Sequence, residues 1–319
     1  MIARTDSIAA ADDAFERSLE AIRGVSADPL EGLFGPRSML WRIDREAALF
    51  LGAGRALLLQ LAHPWVAAAV AEHSRAIADP IGRFHRTFGI VFAMVFGTRA
   101  QALAAARRLR RRHASVRGVM PEAAGPFAAG SLYLANDADA LLWVHATLIE
   151  TAIIVHDLMH PPLSIGERER YYAETKILAA LFGIPQSCLP SSWARFAAYC
   201  EAMHASDTLT VSPSAREIAT AILAGSGSWL PVPGWYRSLT AGLLPRRLRA
   251  DFGLAYDSGE KRAAERALGV LRRLYPMLPS RCRHVGPYHE AMGRLAGRPA
   301  PDLPTRLLNR FWIGKSEIE

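Results

Sequence analysis

The stretch NDADALLWVHATLIETAIIVHDLMHPP, residues 136–162, decides the fold class. Asn136 and Asp137 carry the short polar side chains that cap helix N-termini. Pro161 and Pro162 cannot continue a helix, because proline lacks the amide hydrogen and clashes with the preceding turn. The residues between these signals therefore predict one long helix over 137–159.

Helical periodicity continues on both sides of this segment. It predicts further helices at 14–24, 43–62, 65–73, 84–97, 101–116, 164–182, 192–205, 214–224, 244–252, 259–275 and 286–295. No convincing alternating strand pattern and no internal repeat accompanies them. We therefore predict an all-α protein built as a single multi-helix domain over residues 35–257. An N-terminal helix and arm, 1–34, precede this domain, and a C-terminal helical extension, 258–319, follows it.

The composition excludes two broad classes. Half of the 319 residues are hydrophobic and 21% are charged, which is too apolar for a disordered chain. The three cysteines, Cys188, Cys200 and Cys282, are too few and too widely spaced for a disulfide scaffold. The chain is long enough to bury a substantial core.

The N-terminal residues lack the apolar core and cleavage site of a secretory signal. The apolar run 138–155 contains His145 and Glu150, which argues against a transmembrane span. We therefore expect a cytoplasmic protein without a transmembrane segment. A peripheral membrane contact through an arginine-rich surface is compatible with the net charge of +8.

Five arginines fall between Arg107 and Arg112, which raises the question of nucleic-acid binding. No aromatic platform or recognition motif accompanies the run, and Leu109 maintains the helical pattern through it. We interpret these arginines as a solvated helix face and expect no nucleic-acid partner. The sequence also lacks a glycine-rich phosphate loop, a nucleophile elbow and a dinucleotide fingerprint.

The helix predicted over 101–116 places His113 in the middle of its apolar face, between Leu109 and Val116. Arg110 and Arg117 follow the same helical pattern, one turn before and one turn after His113. A buried imidazole beside arginines suits a heme, because the histidine supplies an axial nitrogen and arginines bind the propionates. A hydrogen-bonded core histidine fits the same spacing, so the pattern alone leaves both interpretations open.

Four phenylalanines recur at every fourth residue in the preceding helix: Phe84, Phe88, Phe92 and Phe96. Such a stripe could line a flat apolar cofactor, and Arg83 and Thr87 lie near it. Plain core packing gives the same periodicity. The stripe alone therefore does not predict a ligand.

His156 and His160 lie one helical turn apart, as in a zinc-binding helix. His145 is on the same face, but it is about 16 Å from His156 along the axis, too far to share a metal. Histidines near a helix C-terminus are also favoured there by the helix dipole. A metal site at His156 and His160 and a purely structural role both stay open.

The order of several segments resembles the family of rubber oxygenases, also called latex clearing proteins, and fungal MpaB-type oxygenases. The segments that carry the resemblance are LLLQLAHPWVAAAVAEHS (57–74), DPIGRFHRTFGIVFAMVFGT (79–98), LRRRHASVRG (109–118), ANDADALLWVHATLIETAI (135–153), LSIGERERYYAETKILAALFGIP (163–185) and LTAGLLPRRLRADFGL (239–254). Together they extend over roughly residues 35–254. Each segment alone is only a weak match to the family, whereas the order and spacing of the segments are specific.

This resemblance implies an all-helical, globin-like core that encloses a heme b. The proximal ligand of the rubber oxygenases is the histidine of an Arg-x-x-His-x-x-x-Arg segment, which here is Arg110, His113 and Arg117. The resemblance thus implies that His113 binds the heme iron and that residues 35–257 form the heme-binding domain. Phe84 and Phe88 would then contact the heme.

On the distal side, the rubber oxygenases carry Arg-x-x-Lys-Thr, where the lysine can coordinate iron. The matching residues here are Arg83, Arg86 and Thr87, so an arginine replaces the lysine. Because an arginine stays protonated, it is a poor metal ligand. The resemblance implies catalytic roles for these three residues. Because the lysine is replaced, we expect a distal side that differs from that of the rubber oxygenases.

The sequence thus predicts a heme-b-dependent oxygenase that acts with dioxygen, and with an electron donor, on a small apolar, isoprenoid-like substrate. Two alternatives stay open. The first is a heme-binding or other ligand-binding protein without catalysis. The second is a non-heme metal hydrolase at His156 and His160.

Overall fold

The computed structural model describes residues 2–25, 28–74, 77–227 and 232–319, with side chains described from residue 11 onward. These ranges form an all-α domain with one small antiparallel sheet, which confirms the predicted fold class. The sheet consists of β1 (Arg117–Val119) and β2 (Leu132–Leu134). The α-helices are α1 (Ile2–Arg23), α2 (Met39–Asp44), α3 (Ala53–Leu61), α4 (Pro64–His73), α5 (Pro80–Phe96), α6 (Arg99–Ala114), α7 (Ala138–Met159), α8 (Ile165–Leu181), α9 (Trp193–Ala205), α10 (Pro213–Ala224), α11 (Gly234–Leu243), α12 (Arg246–Asp251), α13 (Ser258–Leu274), α14 (Ser280–Arg283), α15 (Gly286–Leu295) and α16 (Leu303–Ile313). Short 3-10 helices occupy Ala47–Gly52, Gln186–Cys188 and Tyr275–Met277.

Helix α7 is the central element of the fold. The Asp137 side chain accepts hydrogen bonds from the amides of Asp139 and Ala140, as expected for a capped helix start. Trp143 on this helix donates its indole hydrogen to the Leu59 carbonyl of α3 at 2.9 Å. By length and apolar composition α7 could cross a membrane, but 67% of its apolar window is buried inside the domain. Its apolar run is accounted for by packing in the core.

Helices α5 and α6 form a tightly connected pair. The Asp79 side chain caps α5 by accepting from the Gly82 amide at 2.9 Å, and only two residues separate the end of α5 from the start of α6. Thr98 and Gln101 cap α6 reciprocally through side chain and backbone. Because the connection is short and the helices pack on each other, they run in opposite directions. The start of α5 therefore lies beside the end of α6.

The structure corrects several sequence-based helix limits. Helix α6 ends at Ala114, so Arg117 is not one turn beyond His113 on the same helix, as predicted, but lies in β1 opposite Leu134. The helix predicted over 43–62 is divided into α2, a 3-10 helix and α3. Helices α11, α14 and α16 and the small sheet were not predicted.

The C-terminal helices are part of the same packed body. The Val285 amide donates to the Arg45 carbonyl at 2.9 Å, and His284 forms an isolated β-bridge with Glu46. Helices α15 and α16 pack on each other and on α5. The ring centroids of Trp312 on α16 and Phe50 are 4.5 Å apart. The extension thus covers one side of α5.

Candidate active site

The antiparallel pair α5–α6 brings together residues that are far apart in sequence. Arg83 and Arg86 are in the second turn of α5, and Arg112 and His113 are in the last turn of α6. The positive charges of Arg112 and Arg86 both act on Arg83. Arg83 and Arg86, which the resemblance assigns to the distal side, and His113, which it assigns to the iron, therefore lie at the same end of the helix pair.

His113 is half-buried and has a free ring nitrogen. Its Nδ1 atom is buried and has no hydrogen-bond partner. Burial, followed by the positive charges of Arg112 and Arg110, lowers the pKa of His113 to about 4. The imidazole is therefore uncharged at neutral pH, which is the state that binds a metal.

Arg83 is a partly buried cation on which other arginines act. Burial first, and then the charges of Arg112 and Arg86, lower the pKa of its guanidinium. Within the described parts of the chain, the Arg83 side chain has no hydrogen bond or ion pair, and the backbone amide of Arg83 donates to the Asp79 carbonyl. A guanidinium stays protonated even when its pKa is lowered, so this group keeps its charge close to two like charges. Such an arrangement is suited to an anion.

Arg86 and Thr87 differ in their surroundings. Arg86 forms an exposed ion pair with Asp79, with 3.0 Å between Nη1 and Oδ2, and thereby reaches back to the start of its own helix. Thr87 is exposed. Arg83, Thr87 and Ile90 follow one another at helical spacing, so they share one partly open face of α5.

The aromatic stripe lies on another face of α5. The Phe88 ring centroid is 4.7 Å from that of Phe50, and the Phe84 centroid is 4.6 Å from that of Phe88. Trp312 closes the cluster at 6.3 Å from Phe84. These rings pack against the core and the C-terminal extension. They thereby fix the rotation of α5 about its axis, and the face that carries Arg83 points away from this packing.

The two arginines of the His113 segment are separated in space. Arg110 forms an ion pair of 2.9 Å with Asp12 of α1, and its guanidinium lies over the Phe15 ring at 5.5 Å. Arg117 is exposed in β1, where its carbonyl oxygen lies 3.1 Å from His73 Nε2. The sequence pattern did not single out Arg112, which lies next to His113 and beside Arg83.

Other buried histidines also have ring nitrogens without a hydrogen bond, among them His63 and His145. His63 precedes α4, its ring lies 5.1 Å from that of Phe127, and burial lowers its pKa to about 4. His145 is 1% exposed, neither of its ring nitrogens has a partner, and burial lowers its pKa to about 4. His145 is enclosed in the core, whereas His113 combines a free nitrogen with partial exposure and a neighbouring arginine, Arg112.

His156 and His160 form part of a buried ionic cluster around Glu46. Their rings stack at 4.9 Å, and His160 Nε2 lies 3.7 Å from a Glu46 oxygen. His284 Nε2 approaches the other oxygen to 3.2 Å, and the Tyr275 hydroxyl donates to Glu46 at 2.8 Å. Among the residues that the structure describes, no group of three or more His, Cys, Asp or Glu side chains is placed to hold a metal ion. The arrangement favours a structural role for these imidazoles.

The residues at the end of the α5–α6 pair fit a heme. A heme brings four nitrogen ligands of its own, so the protein needs to provide a single axial nitrogen, and His113 offers an unbonded one. The charge of Arg83, Arg86 and Arg112 complements two carboxylates. Sequence reasoning could have found Arg112 only by knowing that α5 and α6 are antiparallel.

Comparison with known proteins agrees with this architecture. The family model described as "ER-bound oxygenase mpaB/B'/Rubber oxygenase, catalytic domain" matches residues 40–274, well over half of the chain. The match includes α5, α6 and α7 and ends at the last residue of α13. Neither a curated protein nor a solved structure matches the chain. The chain therefore belongs to the family of MpaB-type and rubber oxygenase catalytic domains.

Proposed function

We propose that this protein is a heme-b-dependent oxygenase that acts on a small apolar, isoprenoid-like substrate, and that His113 would hold the heme iron. The observation that carries the proposal is the uncharged, half-buried imidazole of His113, which has an unbonded nitrogen and lies next to Arg112, whose charge reaches Arg83. This arrangement occurs inside a domain of an oxygenase family. When bound, the heme would supply the iron that activates dioxygen.

His113 has the task of presenting a neutral nitrogen. Burial, and then the charges of Arg112 and Arg110, disfavour a proton on the ring, so the nitrogen lone pair stays available across the physiological pH range. Its position in the last turn of α6 is set by packing of Leu109, one turn earlier, into the main core.

Arg83 and Arg112 have the task of holding negative charge. Both stay protonated, and Arg83 lies in a partly buried site where electrostatic attraction is stronger than in water. We assign carboxylate binding to this pair, because Arg110 would have to leave Asp12 to reach a propionate. Arg117, exposed in β1, is the third candidate for a propionate.

The partly open face of α5 orients the second reactant. Thr87 offers a hydroxyl next to Arg83, and Ile90 continues the face with apolar surface. Arg86 is held by Asp79 and supplies positive charge without a metal-binding lone pair. Developing negative charge on a reacting oxygen would be stabilised by these cations. An apolar substrate fits the aliphatic continuation of the face.

The proposal is tested by absorption spectroscopy of protein expressed with ample heme supply. We expect a Soret band at one heme per chain, and His113→Ala should remove it. His63→Ala is the matched control, because His63 is another buried histidine with a free nitrogen, and it should keep the band. A wild-type protein that takes up no hemin, or one that loses it only on His63→Ala, would overturn the assignment.

Catalysis is tested separately on the heme-loaded protein. We expect the reduced protein to consume dioxygen together with a lipophilic alkene. A stable heme protein that consumes no oxygen with any alkene would favour the non-catalytic heme-binding alternative. Stoichiometric zinc without heme would favour a metal hydrolase at His156 and His160.

A further inference from the structure

Large apolar side chains are exposed mainly toward the C-terminal end of the chain. Among the described residues, just over half of the exposed large apolar side chains lie between residues 270 and 311. They are Val270, Leu274, Met277, Leu278, Met292, Leu303, Leu307 and Phe311. Scattered exposed residues are normal on protein surfaces, but a concentration of them indicates a binding surface.

Helix α16 carries a continuous outward apolar ridge. Leu303, Leu307 and Phe311 are 69%, 55% and 64% exposed, and they recur at every fourth residue. Such spacing places all three on one face of the helix. The ridge therefore runs along the whole outer side of α16.

The inner face of α16 prevents this ridge from turning inward. Thr305, Asn309, Trp312 and Ile313 are buried on the opposite side. Asn309 donates to Glu290 of α15 at 2.6 Å, which fixes the rotation of the helix about its axis. The exposure of the ridge is thus imposed by packing.

Arginines flank the ridge on one side. Arg306 and Arg310 are exposed, and in a helix of 3.6 residues per turn they lie next to Leu303 and Leu307 on the solvent side. The acidic residue at the start of α16, Asp302, is already paired with Arg281 at 2.7 Å. The ridge therefore presents apolar and cationic side chains together.

The Arg281–Asp302 pair also connects the ridge with a second exposed segment. Arg281 follows the loop that carries Met277 and Leu278, which are 78% and 42% exposed. Because Arg281 reaches the N-cap residue of α16, this loop lies beside the start of that helix. We define the outer face of α16 together with residues 277–278 as the C-terminal ridge.

We propose that the C-terminal ridge docks this protein on the surface of an anionic lipid bilayer, with α16 parallel to the membrane plane. Leucine and phenylalanine side chains enter the acyl boundary of a bilayer, and arginines extend to the lipid phosphates. A second copy of the chain fits less well, because a two-fold interface would place Arg306 and Arg310 near the same residues of the partner.

The surface is independent of the proposed heme function. It lies beyond residue 274, where the family match ends. Its buried side nevertheless packs on α5 through Trp312, whose ring lies 6.3 Å from that of Phe84. Docking would therefore place the helix that carries the candidate active site next to a reservoir of apolar molecules.

The test is flotation of the full-length protein with vesicles of pure phosphatidylcholine and of phosphatidylcholine mixed with phosphatidylserine. We expect binding to the mixed vesicles, weakened by added salt. The double variant Leu307→Asn/Phe311→Ser should bind at least about tenfold more weakly, because two apolar anchors are lost. Arg306→Gln/Arg310→Gln should bind about 25-fold more weakly at low salt, since each arginine near an anionic surface contributes about fivefold.

Two controls separate docking from general stickiness. Ile165 is 81% exposed on α8, so Ile165→Ser removes an equally exposed apolar side chain elsewhere and should leave binding unchanged. Arg262→Gln/Arg266→Gln removes two exposed charges from α13 and should have a smaller effect than the α16 pair. Helix content by circular dichroism checks that each variant folds.

Three results would overturn the proposal. The first is absence of binding to the mixed vesicles, and the second is an equal loss of binding in Ile165→Ser and in Leu307→Asn/Phe311→Ser. The third is a protein that binds no vesicles but forms a dimer in light scattering, which Leu307→Asn/Phe311→Ser abolishes. The last result would assign the ridge to self-association.

Discussion

Arg112, in the last turn of α6, lies close enough to Arg83, in the second turn of α5, for its positive charge to lower the pKa of the Arg83 guanidinium. Both belong to a domain of the oxygenase family, and His113 is the next residue after Arg112. A like charge next to a partly buried guanidinium costs folding free energy, so a pair of this kind is expected to have a binding role.

Arg83→Gln should therefore have opposite effects on stability and on ligand binding. Removing the partly buried charge should raise the free energy of unfolding of the heme-free protein by about 1 kcal/mol, because repulsion and desolvation are relieved. The same change should weaken hemin binding about tenfold, because a charge-assisted contact is lost. Urea unfolding and hemin titration measure the two effects.

Arg111→Gln is the control for this prediction, since Arg111 is exposed and lies in the same turn of α6 as Arg112. Both quantities should change little in that variant. If Arg83→Gln destabilises the heme-free protein, the guanidinium has a partner in the fold and the anion-site interpretation is wrong.

The pH dependence of heme ligation should reflect the low pKa of His113. Burial and the charges of Arg112 and Arg110 hold that pKa at about 4, so the ring stays neutral as the pH falls through 6.5. Ligation should therefore persist to about pH 5 and be lost toward pH 4. In Arg112→Gln the pKa of His113 should rise, and the loss should move to higher pH. A Soret band that disappears near pH 6.5 in the wild type would contradict this account.

The heme-free protein should become less stable as the pH falls from 6.5 to 4. Burial lowers the pKa values of His63 and His145 to about 4, so in this window the unfolded chain binds protons that the folded chain does not. Each histidine contributes a slope of up to about 1.4 kcal/mol per pH unit to the free energy of unfolding. Asp44 acts in the opposite sense, because burial raises its pKa to about 7 and the folded state takes up that proton first.

His145→Gln isolates one of these contributions. The slope of unfolding free energy against pH near pH 5 should fall by about 1.4 kcal/mol per unit. Urea denaturation at several pH values provides the measurement. Equal slopes in wild type and His145→Gln would show that the His145 ring takes up a proton in the folded state as readily as in the unfolded state.

Glu46 should hold the C-terminal helices on the domain. Burial alone would raise its pKa, but hydrogen bonds to His284 and Tyr275 and the charges of His284 and His160 outweigh burial and lower the pKa to about 2. Glu46→Gln should reduce the free energy of unfolding by about 3 kcal/mol, because the imidazoles lose their charged partner. Tyr275→Phe should cost about 1–3 kcal/mol, because the hydroxyl donates to Glu46 and also accepts from the Ala48 amide, which would lose its partner. Equal stability of Glu46→Gln and wild type in urea would disprove this role.

Local signals in the sequence were sufficient for most helices. Asp137 caps α7 with the expected hydrogen bonds, and Ser164 and Glu167, three residues apart in the sequence, form a capping box at the start of α8. Helix starts of this kind depend on residues within one turn, so they can be recognised without knowledge of tertiary contacts.

The small sheet and the position of Arg117 depended on contacts distant in sequence. Strand β1 pairs with β2 fifteen residues farther along, and each strand has only three residues, too few for an alternating pattern. Position 118 in β1 requires glycine, because a Cβ atom there would lie 2.4 Å from the Tyr133 hydroxyl. The helical pattern that seemed to include Arg117 was therefore misleading.

Helix α16 was missed for a different reason. Asp302 and Pro304 are ordinary start signals, but Leu303, Leu307 and Phe311 point to solvent and the inward face includes Thr305 and Asn309. A pattern search assumes that apolar residues face the core, and this helix has the opposite arrangement on its outer side.

The candidate site was predictable in its residue types but not in its partners. The resemblance indicated Arg83, Arg86 and His113, and the structure places all three at one end of the α5–α6 pair. Arg110 is instead held by Asp12, a residue 98 positions earlier, and Arg112 takes its place beside Arg83. Ion pairs over such separations follow from packing and leave no local trace in the sequence.

The central claim is that His113 provides the axial nitrogen, and the most direct measurement is hemin binding by His113→Gly with and without added imidazole. Removing the ring should abolish the histidine-ligated Soret spectrum, and free imidazole should restore it by filling the space left by the side chain. His73→Gly, at an exposed position, should bind hemin without imidazole. An unchanged spectrum in His113→Gly, or no recovery with imidazole in a folded variant, would contradict the assignment of His113.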